Sequence, residues 1–156
     1  MAASAWTFFN DAKKKIGTST ASGIDLTAGT PKLSLHTSAA NLNTSASARV
    51  LGTLGSCSGE IAAQGGYVAG GRDLASVVWT LQGDPGSVMW DAADLVFTAS
   101  GANLSNIKFA VISFSTGAAT SGFPLCWSEL SASQFSVTSG NTLTIQFAAA
   151  GIFTLT

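Results

Sequence analysis

Apolar and polar positions follow two different rhythms along this chain. Near the N-terminus Trp6, Phe9, Lys13 and Ile16 recur at intervals of three and four, the spacing that lines one face of a helix, with the aliphatic stem of Lys13 lying along it. Ser4 is placed to cap the start and Gly17 to stop it, so the spacing predicts one short N-terminal α-helix over about residues 5–16. Beyond it the period changes to two. In "PKLSLHT" Leu33 and Leu35 alternate with Ser34 and His36, and in "TLTIQF" Leu143, Ile145 and Phe147 alternate with Thr142, Thr144 and Gln146.

Further strand-like runs lie at "LASVVWTL" (74–81), "DLVFTA" (94–99), "IKFAVISF" (107–114), "PLCWSEL" (124–130), "FSV" (135–137) and "IFTL" (152–155), each bounded by Gly, Asn, Ser or Pro. The pattern predicts a mainly β single domain, an antiparallel β-sandwich or barrel-like fold, with "FAVISF" apolar on both sides as a central strand. Residues 38–60 and 115–122 break the rhythm and read as long loops, which in compact domains are functional or disordered. No repeat of 20 to 50 residues recurs.

Composition narrows the partners. Charged residues make up 10% of the 156, against a usual share of roughly a quarter. The formal net charge of −1 leaves no basic footprint for nucleic acid or anionic lipid, so neither nucleic acid nor membrane is an expected partner. So few charges suit a surface covered in an assembly better than a free monomer. In "AWTFFNDAKKK" the lysines follow the apolar residues, the reverse of an export signal, and the longest apolar runs, such as "FAAAGIF", fall short of a membrane span. The expectation is a soluble protein made in the cytoplasm, whose reducing conditions argue against a bridge between Cys57 and Cys126.

Candidate chemistry is sparse. Gly65, Gly66, Gly70 and Gly71 in "GGYVAGGRDLASVVWT" have the wrong spacing for a dinucleotide fingerprint and lead into a strand rather than a helix. They read as tight or left-handed backbone positions at a strand edge. "GSCSG" has the outline of a nucleophile elbow with Cys57 at its tip, but no helix follows, and the single histidine, His36, reads as a strand residue facing solvent or a neighbouring subunit. Cys57, Cys126 and His36 do not compose a zinc set, and "WDAAD" lacks the closing Glu of a calcium loop and reads as a turn between strands. Glu60, Glu129 and the scattered aspartates give no reason to choose a catalytic pair. Trp79, Trp90 and Trp127 lie in or beside apolar runs, where they serve as core anchors rather than a sugar platform. No catalytic residue, metal ligand or cofactor site is assigned.

The succession "FFNDAKKKIGTSTASGIDLTAGTPKLSLHTS", "GGYVAGGRDLASVVWT", "WDAADLVFTASGANLSNIKFAVISF", "LCWSEL" and "GNTLTIQFAAAGIFTLT" resembles small virion structural proteins of tailed bacteriophages, over nearly the whole chain. That resemblance implies a β-rich protein without enzymatic activity, most like a capsid decoration (cement) protein on the capsid exterior. Its implied partners are the major capsid protein and itself, as a homotrimer. Tail or neck components share this look, and a host-polysaccharide binding module is the alternative of another class. Residues expected to make contacts are the apolar, aromatic or Arg side chains of loops and strand ends: Leu42, Arg49, Val50, Leu51, Tyr67 and Phe123.

Overall fold

The computed structural model describes residues 5–16, 26, 30–42, 57–82, 86–115 and 123–156. It is mainly β and antiparallel, with one short helix near the N-terminus, as the alternating pattern predicts. Among the described residues the sheets do not close into a barrel.

The central sheet has five strands in the order β1-β9-β8-β2-β3. Its members are β1 (Thr7–Phe8), β2 (Thr30–His36), β3 (Arg72–Asp73), β8 (Phe109–Ser115) and β9 (Phe123–Glu129). β8 sits in the middle because both its faces are apolar, and Phe109 to Ile112 are buried without a break. β9 carries a bulge where Ile112 pairs with Cys126 and Ser113 with Pro124, which leaves Leu125 as the extra residue. The bulge accommodates Pro124, whose missing N–H would interrupt a regular ladder.

Three smaller sheets complete the fold. β4 (Val78–Leu81), β5 (Val88–Asp91) and β12 (Phe153–Leu155) form one in the order β12-β5-β4; β6 (Leu95–Thr98) pairs with β11 (Thr142–Ile145), and β7 (Leu104–Ile107) with β10 (Phe135–Val137). Aromatic rings join the first of these to the central sheet. Trp90 on β5 lies 5.9 Å from Phe114 on β8, and Phe8 on β1 meets Phe153 on β12 edge-on at 4.5 Å. Trp90 and Trp127 are buried core residues, as expected, while Trp79 is half-buried.

Several expectations are corrected. The helix α1 spans Asn10–Ile16, shorter than the 5–16 span predicted. Thr7 and Phe8 instead pair with Trp127 and Cys126, because an aromatic and a β-branched residue beside an open strand edge gain more from ladder bonds than from a helical turn. Asp11 in its first turn and Lys13, Lys14 and Lys15 in its last complement the helix dipole. Ile107 ends β7 rather than opening β8, and Val88–Asp91, absent from the strand-like runs, is the strand β5, which takes in Trp90 and Asp91 of the "WDAAD" stretch read as a turn. The long loop is anchored at both ends, since Ala40, Leu42 and Cys57 belong to the core. Ser4, Gly17, residues 43–56 and residues 116–122 lie outside the described residues.

Candidate functional site

β2 has one side occupied by β8 along its whole length, and the other would be an open edge. The segment from Cys57 to Asp73 closes that edge in pieces. Asp73 and Arg72 pair with Lys32 and Leu33, Ile61 N donates to Leu35 O at 3.0 Å, and Thr37 N donates to Gly59 O at 2.7 Å. Leu35 N has no strand partner and donates instead to the Tyr67 hydroxyl oxygen at 3.1 Å. That hydroxyl donates in turn to Glu60 Oε1 at 2.6 Å, which also accepts from Gly70 N at 2.6 Å. Burial, with the Glu60 carboxylate beside it, pushes the Tyr67 phenol well above its ordinary range, so it stays a donor.

The paired glycines make this route possible. Gly65, Gly66, Gly70 and Gly71 all have positive φ, as expected of left-handed positions at a strand edge. Two of them are closed in as well: a β-carbon on Gly65 would lie 2.6 Å from Ala102 O, and one on Gly71 would meet the Leu33 carbonyl. The motif is a backbone device that caps β2 and aims Tyr67 at Leu35.

On the other face of β2, Ser34 and His36 are buried, which corrects the expectation that His36 faces solvent or a neighbour. Their polarity is satisfied internally. His36 Nδ1 lies 3.1 Å from Ser58 O, a carbonyl that can only accept, so this nitrogen carries the proton. Nε2 then accepts from the Ser34 hydroxyl at 3.0 Å. The order of bonds matches a serine–histidine nucleophile pair, yet both side chains are sealed from any substrate. Cys57 and Cys126 are free thiols, both buried; burial pushes Cys57 up to about 12 and Cys126 well above its ordinary value, so neither forms a thiolate at neutral pH.

Burial holds the pKa of His36 below its ordinary 6.5, against smaller opposing effects from Ser58 and Glu60. A lowered folded pKa means the unfolded chain binds the proton first. The stabilising contribution is therefore complete above about pH 6.5 and is lost progressively as pH falls through that value toward the folded pKa. Urea unfolding between pH 7 and pH 5 should show stability falling by up to about 1.4 kcal/mol per pH unit from this group. In His36→Gln that slope should flatten whatever the variant's absolute stability, and an unchanged slope would remove His36 as its source.

Beside the capping segment lies a cleft of about 160 Å³ lined by Gly66, Tyr67, Arg72, Phe97, Thr98 and Leu104. Arg72 forms its rim, donating through Nη1 to Val96 O with its guanidinium 6.0 Å from the Phe97 ring centre. Its neighbour Asp73 is held by Lys32 at 2.5 Å. Val68 and Val96, next in sequence to the lining residues Tyr67 and Phe97, are 68% and 40% exposed. No family model matches the chain, and no match was found among curated proteins or solved structures.

Of the contact residues expected from the sequence, Leu42, Tyr67 and Phe123 are buried within the single chain, where intramolecular packing already uses their surfaces. Arg49, Val50 and Leu51 lie outside the described residues. Arg72, Val68 and Val96, exposed in the fold, are not among those expected contact residues. The signal for Arg72 was present, as one cation following two glycines, but only the fold shows that it rims a cleft. Among the described residues no three His, Cys, Asp or Glu side chains converge, and no helix is long and apolar enough to cross a membrane.

Proposed function

We propose that this chain is a virion structural protein of a tailed bacteriophage that decorates the capsid and stabilises it by binding between major capsid subunits. The structural observation that carries the reading is the division of labour among side chains. Ser34, His36, Tyr67, Cys57 and Cys126 are consumed inside the fold, whereas Val68, Leu81, Val96 and Arg72 are turned outward. Exposed apolar side chains and an arginine suit recognition of another protein. The order of motifs supplies the particular partner. "GGYVAGGRD", one of those motifs, builds the capping segment and the rim of the cleft, so the resemblance and the candidate contact surface coincide at Arg72.

A decoration protein acts by linkage: it binds the expanded shell more tightly than the unexpanded one, and many copies add their small contributions. Quantitative mass spectrometry of purified virions should find this chain near the abundance of the major capsid protein. Capsids lacking it should open at lower temperature and recover when the protein is added back, and Arg72→Ala should weaken that rescue. A ratio of a few copies per hundred shell subunits would place it in the tail or neck instead. Equal heat resistance with and without the protein would defeat the capsid reading.

A further inference from the structure

Among the described residues the three-stranded sheet ends, at β4, in a short edge strand that no other strand covers. β4 carries no charge, no proline and no bulge in its register with β5. Its hydrogen-bond parity follows from the hairpin: Gln82 N donates to Ser87 O at 3.0 Å, so Gln82, Thr80 and Val78 direct their main-chain groups at β5. The N–H and C=O groups of Trp79 and Leu81 therefore point outward. Leu81 O takes a local contact at 3.4 Å from the Thr80 hydroxyl in place of a ladder bond. Along this edge Trp79 is half-buried against Phe153, while Leu81 is 76% exposed.

We propose that this edge pairs with the same edge of a second copy, antiparallel, about a two-fold axis through Thr80. The chain itself supplies what the edge requires of an occupant: a strand open on one side, with two outward main-chain positions two residues apart, an apolar side chain at matching spacing, and no charge. With Thr80 opposite the partner's Thr80, Trp79 faces the partner's Leu81 and Leu81 faces the partner's Trp79. Both outward residues of each strand then gain their bonds, and each exposed leucine covers the other copy's half-buried tryptophan. Two three-stranded sheets become one six-stranded sheet. Such a contact is smaller than a standard interface of roughly 1,200–2,000 Å², so the pair forms reversibly with concentration. It is two-fold, distinct from the trimer that the phage resemblance implies, and it does not rest on the capsid reading.

The test uses the purified full chain. Sedimentation over a concentration series should show monomer passing to dimer, and Leu81→Lys should abolish the dimer while leaving the monomer's unfolding midpoint unchanged, since the side chain is exposed. Thr80→Cys should form a covalent dimer under mild oxidation, because directly opposed residues of a non-hydrogen-bonded pair are about 4.5 Å apart at Cα, within disulfide reach. Val78→Cys, displaced from the axis, should not, and the buried native cysteines do not compete. A chain that stays monomeric, a trimer without the Thr80→Cys cross-link, or equal cross-linking by Val78→Cys would each overturn the proposal.

Discussion

Gly71→Ala is expected to destabilise the protein by about 3 kcal/mol or more. Two effects combine at this residue. Its φ of +78° is strained for any residue with a β-carbon, and that carbon would land on the Leu33 carbonyl oxygen, 2.6 Å from the carbonyl carbon. The obstacle is main chain of a central-sheet strand, so relief requires β2 and the Arg72–Asp73 strand to part. Gly140→Ala is the control. Its φ is +92° with nothing within 4 Å of the added carbon, so it carries strain alone, about 1–2 kcal/mol. Urea unfolding of the two variants separates strain from collision, and equal losses would show that Gly71 is not packed against β2. Because Arg72 follows directly, Gly71→Ala should also loosen the cleft rim and, on the proposed capsid role, weaken capsid rescue at temperatures where the fold persists.

Trp90→Ala should lower stability by about 3–5 kcal/mol. Trp90 is fully buried and stacks on Phe153 at 5.4 Å with 28° between the planes. Its indole N–H donates to Leu26 O at 3.1 Å. Truncation leaves a cavity between the three-stranded and central sheets and deprives the Leu26 carbonyl of a donor. Trp90→Phe should lose distinctly less, because much of the ring contact with Phe114 and Phe153 survives while the hydrogen bond and part of the ring volume go. If both substitutions cost the same in urea unfolding, the hydrogen bond rather than the packing dominates at this site. Since β5 carries β4, Trp90→Ala should also weaken the pairing centred on Thr80.

The alternation of "PKLSLHT" and "TLTIQF" identified β2 and β11 because a period of two survives whatever covers each face. It could not say that the polar face of β2 is buried. Ser34 and His36 are as polar as any solvent-facing pair, and they are enclosed only because Ser58, from a separate segment, supplies the carbonyl that His36 needs. The "VMWD" strand was missed for the opposite reason: four residues ending in Asp beside a turn signal carry too little periodicity to stand against it. At the N-terminus, Trp6 and Phe9 fit helical spacing, but the strand Thr7–Phe8 is decided by the edge of β9, which lies more than a hundred residues away along the chain.

The candidate contact residues show the same division. Tyr67 and Phe123 were chosen as aromatic residues near strand ends, and both turned inward, because an aromatic side chain at a sheet edge gains most by burying its ring. Arg72 and Leu81 face outward for reasons that appear only when distant strands are set side by side: Arg72 beside Val96, and Leu81 on the last strand of a three-stranded sheet.

By itself the sequence determined the mainly β antiparallel class, the presence of a short N-terminal helix, the central place of "FAVISF", and the positive φ of the paired glycines, all of which follow from side-chain period and local backbone freedom. The tertiary structure alone decided which polar groups are sealed, which strand edges stay open and where the cleft lies. Those depend on hydrogen-bond partners and packing neighbours brought together from distant parts of the chain, and no local pattern encodes which partner arrives.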